Sequence, residues 1–183
     1  MCIRDRCNDL SNLLNRTVSM VNKYFDGQVP EYNGTPNEVD EEFEKYTIEQ
    51  INKFDEKWNE YEIANSIQEI WNLISRTNKY IDETMPWSLA KEEKQEELKS
   101  SMYHLIENLR RIAILIKPFM NDTADNILRQ IGVKDENLKN WDSLKGRYNK
   151  IENVKVIEKG EPIFMRLKPE EEIEYLQSAM KNS

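Results

Sequence analysis

Breakers and cross-links are scarce in this chain. Its 183 residues include 5 glycines, 6 prolines and 2 cysteines. So few breakers favour long helices and count against many short strands joined by tight turns. Cys2 and Cys7 both lie near the N-terminus and make neither a metal quartet nor a disulfide framework. A reducing cytoplasm suits such a chain. His104 is the single histidine, so a metal centre or a nucleophile–base pair lacks its usual members. There is no Gly-rich phosphate loop. No apolar run approaches the roughly 18 residues that a membrane-spanning helix requires, so no membrane partner is expected. The opening Met1-Cys2-Ile3-Arg4-Asp5-Arg6 has no apolar core and is not a signal peptide. It looks like a translated adaptor remnant, a non-native leader over 1–6. On that reading the chain is a piece of a longer parent.

What the chain has is charge. Asp and Glu number 34 against 26 Lys and Arg, for a net −8. Residues 37–62 hold ten of the acids and only three bases, so that window alone carries −7. The remainder is nearly neutral. One acidic helix facing away from any partner therefore accounts for the balance. A near-neutral remainder predicts only modest affinity for nucleic acid, because phosphate neutralisation supplies much of such binding.

Apolar residues recur at helical spacing. The first helix is expected over 8–25, with Leu10, Leu14, Thr17, Val21, Tyr24 and Phe25 inward and Leu13 and Val18 beside them. Its polar face carries Asn8, Asn12, Asn15, Arg16, Ser19 and Lys23. A second is expected from about Val39 to Trp58, with Phe43, Ile51, Phe54 and Trp58 inward. A third runs over 63–84 along Ile63, Ile67, Ile70, Ile74 and Ile81, until Pro86 prevents its continuation. A fourth spans 93–117, with Leu98, Met102, Leu105, Leu109, Ile112 and Ile116 forming a seam suited to antiparallel packing. A fifth covers 122–130, with Asp122 as N-cap and Gly132 as stop. The fold class is all-α: a helical bundle over 7–132, then an irregular segment and a final helix within 133–183.

Two short segments carry the candidate site. Asn12-Leu13-Leu14-Asn15-Arg16 places two polar side chains four apart, neighbours on one helix face. Asn offers a donor and an acceptor, and Arg a rigid fork of donors. The segment from Asn78 to Trp87 ends in Pro86-Trp87, an aromatic ring just past a helix end. Unstacked RNA bases are held by such rings and read by such polar groups. Taken alone, the pair reads as a solvated face and the ring as a cap on the core. Trp58, Trp71 and Trp141 read as packing residues.

These segments resemble the anticodon-binding domain of methionyl-tRNA synthetases. The resemblance continues through Leu89-Ala90-Lys91, Asn108-Leu109-Arg110, Lys117-Pro118-Phe119-Met120, Thr123-Ala124 and Gly160-Glu161-Pro162-Ile163-Phe164, over roughly residues 7–176. It implies that Asn12, Arg16, Pro86 and Trp87 bind the anticodon of tRNA(Met). Met85 departs from the small residue usual before Pro-Trp. The family's catalytic motifs, of His-Ile-Gly-His and Lys-Met-Ser-Lys-Ser type, are absent. The resemblance thus implies no cofactor for this piece, and a parent whose missing catalytic domain uses ATP with Mg. Two other readings stay open: a helical protein–protein adaptor, which a core-buried Trp87 would favour, and the anticodon domain of a related isoleucine, valine, leucine or cysteine enzyme.

Overall fold

The computed structural model describes residues 3–144, 146, 148, 151–164, 170, 173, 177, 178 and 180, with side chains from residue 8 onward. Six helices carry the fold: α1 (Ile3–Phe25), α2 (Glu38–Asn59), α3 (Ile63–Thr84), α4 (Pro86–Lys91), α5 (Gln95–Ile116) and α6 (Asn121–Gln130). Two short 3-10 turns follow at Glu136–Leu138 and Trp141–Leu144. Of the leader expected at 1–6, residues 1–2 lie outside the described set, and the backbone of 3–6 is helical. The final helix and the apolar stretch 163–167 fall partly outside it; the described Ile173 and Met180 are exposed.

Cross-helix bonds give the helix directions. Asn78 of α3 donates to the Asp9 carbonyl of α1 (3.2 Å), and Arg16 of α1 pairs with Asp82 of α3 (3.0 Å), so α1 and α3 run parallel. On α2 and α5, Asp40 meets Ser100 (2.7 Å) and Thr47 meets Asn108 (3.0 Å), so these two are parallel as well. The tight Glu60–Glu62 turn makes α2 and α3 antiparallel. The four long helices therefore alternate in direction. One end of the bundle holds the last turns of α1 and α3, all of α4, and the first turns of α2 and α5.

Of the residues expected inward, Ile63 lies in the uncovered first turn of α3 and is 40% exposed, and Tyr24, Phe25 and Ile67 are half-buried, whereas Leu10, Leu13, Leu14, Val18, Val21, Phe43, Phe54, Ile70, Ile74, Ile81, Met102, Leu105, Leu109 and Ile112 are all at or near zero exposure. Each contributes about 1.5–3 kcal/mol by leaving water. The seam on α5 underestimates that helix. Every residue from Ser100 to Ile116 is buried, polar ones included. A helix covered all round sits at the centre of a bundle. Trp58 is a correction in the other direction: it is 36% exposed, stacks on Phe54 (5.9 Å) and meets Phe119 edge-on (5.6 Å).

Helix ends also differ from expectation. Asn37 caps α2 by accepting from the Asp40 N–H (2.9 Å), with Glu38 and Glu41 in the favourable first turn. Asp122 does not cap α6; Met120 holds that position, without a side-chain bond, and Asp122 lies in the first turn. Glu93 has φ 60°, so α5 begins only at Gln95. Gly132 does stop α6. With φ 78°, it donates to Arg129 (3.1 Å) while Val133 reaches Leu128 (3.0 Å), a Schellman ending.

Between Gly132 and residue 164 the described residues are irregular apart from the two 3-10 turns, yet contribute to the core through Leu144, Tyr148, Ile151, Val154 and Val156. Residues 154–157 bond to three separate places: Val154 to Val29 (2.9 Å), Val156 to Gly27 (2.9 Å) and Ile157 to Gln130 (3.0 Å). Asn22 of α1 donates to the Ile157 carbonyl (2.8 Å). This strap closes over the last turns of α1.

Candidate nucleic-acid interface

The α3–α4 corner builds the aromatic half of the site. Met85, not Pro86, makes the bend, with φ 43° and ψ 64°. Its N–H closes α3 on the Ile81 carbonyl (3.0 Å), and its own carbonyl opens α4 by accepting from Ser88 (2.7 Å) and Leu89 (3.2 Å). Pro86 then occupies the first helical position, where its missing N–H costs nothing. A short helix therefore replaces the expected open bend. Pro86 and Leu89, one turn apart, are buried and anchor α4. Trp87 points away from that face and is 47% exposed. Its ring is thus presented to solvent from a rigid support, whereas Pro86 acts from underneath.

Asn12 is exposed on α1, with Leu13 and Leu14 buried behind it. Arg16 is held 3.0 Å from Asp82, with both side chains substantially exposed, at 41% and 66%. Such a pair contributes about 0–1 kcal/mol. It orients the guanidinium but leaves it exchangeable. Asp82 lies in the last turn of α3, just before the Met85 bend, so the pair joins the polar face of α1 to the corner that presents Trp87. Asn12 lies one turn further from that corner. Nothing in the sequence singled out Asp82, which stands next to a second acid, Glu83.

Behind this surface runs a buried polar network that the sequence did not disclose. Asp40 accepts from Tyr80 and Ser100, all fully buried. Burial pushes the Tyr80 hydroxyl well above its ordinary range, and the Asp40 charge adds to the rise. His104 sits at the centre, its Nδ1 near the Ser100 carbonyl (2.7 Å) and its Nε2 near Glu44 (2.9 Å). Burial opposes ionisation of Glu44, but hydrogen bonds from His104 and Tyr32 outweigh it and lower its pKa. Further along α5, Glu107 binds both Arg110 and Arg111. The uninterrupted mix of apolar and mutually compensating charged residues from Ser101 to Ile116 is the one signal that could have revealed this. The network fixes α2, α3 and α5 against one another, and so fixes the corner.

An alternating four-helix bundle that carries an exposed tryptophan on a short helix at one end defines an all-α domain. The family described as the anticodon binding domain of methionyl tRNA ligase matches residues 29–181, and the chain belongs to it. A methionine–tRNA ligase of Listeria innocua is 48% identical over 180 residues, and one of Bacillus subtilis 47% identical; each match covers 98% of this chain. The chain spans only 27% of the length of these relatives. The free-state crystal structure of Mycobacterium tuberculosis methionyl-tRNA synthetase superposes with a TM-score of 0.77 at 26% identity, covering 90% of this chain and 33% of that one. Helix α1, with Asn12 and Arg16, precedes the family-matched region but lies within the span shared with the two ligases.

Proposed function

We propose that this chain reads the anticodon of methionine tRNA through Asn12, Arg16 and Trp87, on behalf of a parent methionine–tRNA ligase. The observation that carries the reading is Trp87: a large ring at 47% exposure on a helix whose other face is firmly buried. An unstacked base laid on that ring gains about 1–3 kcal/mol. Arg16 exchanges its weak pairing with Asp82 for a base edge, and Asn12 supplies a donor and an acceptor one turn away. A core-buried Trp87 would have favoured the adaptor reading, and Trp87 is 47% exposed. The remainder of the parent supplies the ATP- and Mg-dependent attachment of methionine in the cytoplasm, and this chain supplies recognition.

The test is binding of an anticodon stem-loop carrying CAU against one with a changed anticodon, by fluorescence anisotropy. Wild type prefers CAU. Trp87→Ala weakens binding by about 1–3 kcal/mol and, like Arg16→Ala, flattens the preference without unfolding the domain. Loss of folding in Trp87→Ala with the preference intact in the folded remainder would make Trp87 a packing residue.

A further inference from the structure

The bend between α3 and α4 holds strain at a residue whose side chain the fold does not need. L side chains enter the left-handed region at a cost that glycine avoids. Met85 is there at φ 43° and ψ 64°. The proline that follows makes the position worse, because its ring crowds the preceding residue out of helical conformations. Tyr61 and Glu93 also have positive φ, but neither precedes a proline.

The joint itself is made by main-chain atoms. The Met85 N–H and carbonyl make all three hydrogen bonds that close α3 and open α4. Glycine would keep these bonds and relieve the strain. Nor is the side chain a core group: it is 46% exposed and borders a cleft of about 290 Å³ whose lining includes Val39 and Leu89 together with Glu83, Glu92, Lys94 and Glu97, with Trp87 outside it. Met85 and Trp87 are thus two large, half-exposed apolar side chains flanking one buried proline. Strain that returns nothing to the fold is characteristic of functional positions.

On the basis of the base-reading role of Trp87 above, we propose that Met85 is a second binding residue, its side chain forming an apolar wall against the nucleotide held on Trp87. An unbranched, polarisable thioether adapts to a flat ring or a sugar edge without a fixed shape of its own.

Three substitutions test this in the whole 183-residue chain. Met85→Ala removes the side chain and keeps the backbone strain. Met85→Gly removes both, and Met85→Leu keeps the apolar bulk. Each is titrated with the CAU stem-loop beside wild type and Trp87→Ala, and its melting temperature is measured. Met85→Ala and Met85→Gly are expected to bind about three- to tenfold more weakly, and Met85→Leu within about twofold of wild type. Met85→Gly should melt no lower than wild type. Wild-type affinity in Met85→Ala, with Trp87→Ala impaired, would overturn the proposal while leaving the base-reading site intact. Weak binding by Met85→Gly alone would also overturn it, since that traces the loss to the backbone. Undiminished binding by Trp87→Ala would remove the site and this proposal together.

Discussion

Replacing Glu107 tests whether the centre of the bundle is as dry as its geometry implies. Glu107, Arg110 and Arg111 all have zero exposure. The carboxylate accepts from Arg110 Nε (2.9 Å), Arg110 Nη2 (2.6 Å) and Arg111 Nε (2.8 Å). The guanidiniums have further partners: Arg110 donates to the Leu138 carbonyl and Ser143 Oγ, both at 2.7 Å, and Arg111 lies 4.3 Å from the Tyr148 ring centre. One anion thus bridges two buried cations, and its loss takes the shared carboxylate from three hydrogen bonds, while Arg110 Nη2 keeps the Ser143 carbonyl (3.3 Å). Each stranded buried donor costs about 1–3 kcal/mol, and breaking a buried ion pair from one side costs about 3–5 kcal/mol. We therefore expect Glu107→Ala to lose at least about 3 kcal/mol, a large part of the roughly 5–15 kcal/mol that holds a domain together. Urea unfolding followed by helical circular dichroism reads this directly. With a slope of about 2 kcal/mol per molar, the midpoint should fall by about 1.5 M. Converting the triad together to Leu and Met should recover most of the loss, since the cost lies in uncompensated charge. A loss below about 1 kcal/mol in Glu107→Ala would refute the reasoning and mean that water reaches the triad.

Three further outcomes follow from other contacts. Asp82→Ala should change stability by less than about 1 kcal/mol, because the Arg16–Asp82 pair is exposed. By freeing the guanidinium it should strengthen CAU stem-loop binding by up to about fivefold; weaker binding would show that Asp82 itself engages the RNA. Gly132→Ala should destabilise by about 2 kcal/mol or more in calorimetry, since its Cβ would stand 2.0 Å from the Lys155 carbonyl oxygen at a φ of 78°. Glu44 has a folded-state pKa below its ordinary 4.5. The stability it contributes is thus present above that value and lost as pH falls through the folded pKa. Between neutral and acid pH, Glu44→Gln should lose less melting temperature than wild type.

The helices were legible because apolar spacing is set by the bundle surface each one covers. The third helix, 63–84, matches its expected span, and the α1 stripe from Leu10 to Val21 is the one buried. Asn12 and Trp87, singled out by motif, are exposed, and Arg16 is half-buried. The misses have two causes. Met85, Glu93 and the start of α4 depend on backbone angles that side-chain patterns do not encode. The burial of Asp40, His104, Glu107, Arg110 and Arg111 depends on partners elsewhere in the chain, and pattern reading treats an isolated polar residue as solvated. Asp82 acquires its place only when α1 comes to lie parallel to α3.

The strap over α1 has a consequence for the order in which the chain becomes structured. Its contacts with Gln28 and Asn22 span 126 and 135 residues, far longer than the loops that join successive helices. Contacts this distant close late, because the entropy of closing the loop comes before any return. On a ribosome adding about 5–20 residues per second, α1 therefore waits for residues 154–157 to emerge before its last turns are fixed. The helix that carries Asn12 and Arg16 thus precedes its clasp by more than a hundred residues, and a chain ending before residue 154 would leave its C-terminal turns without that clasp.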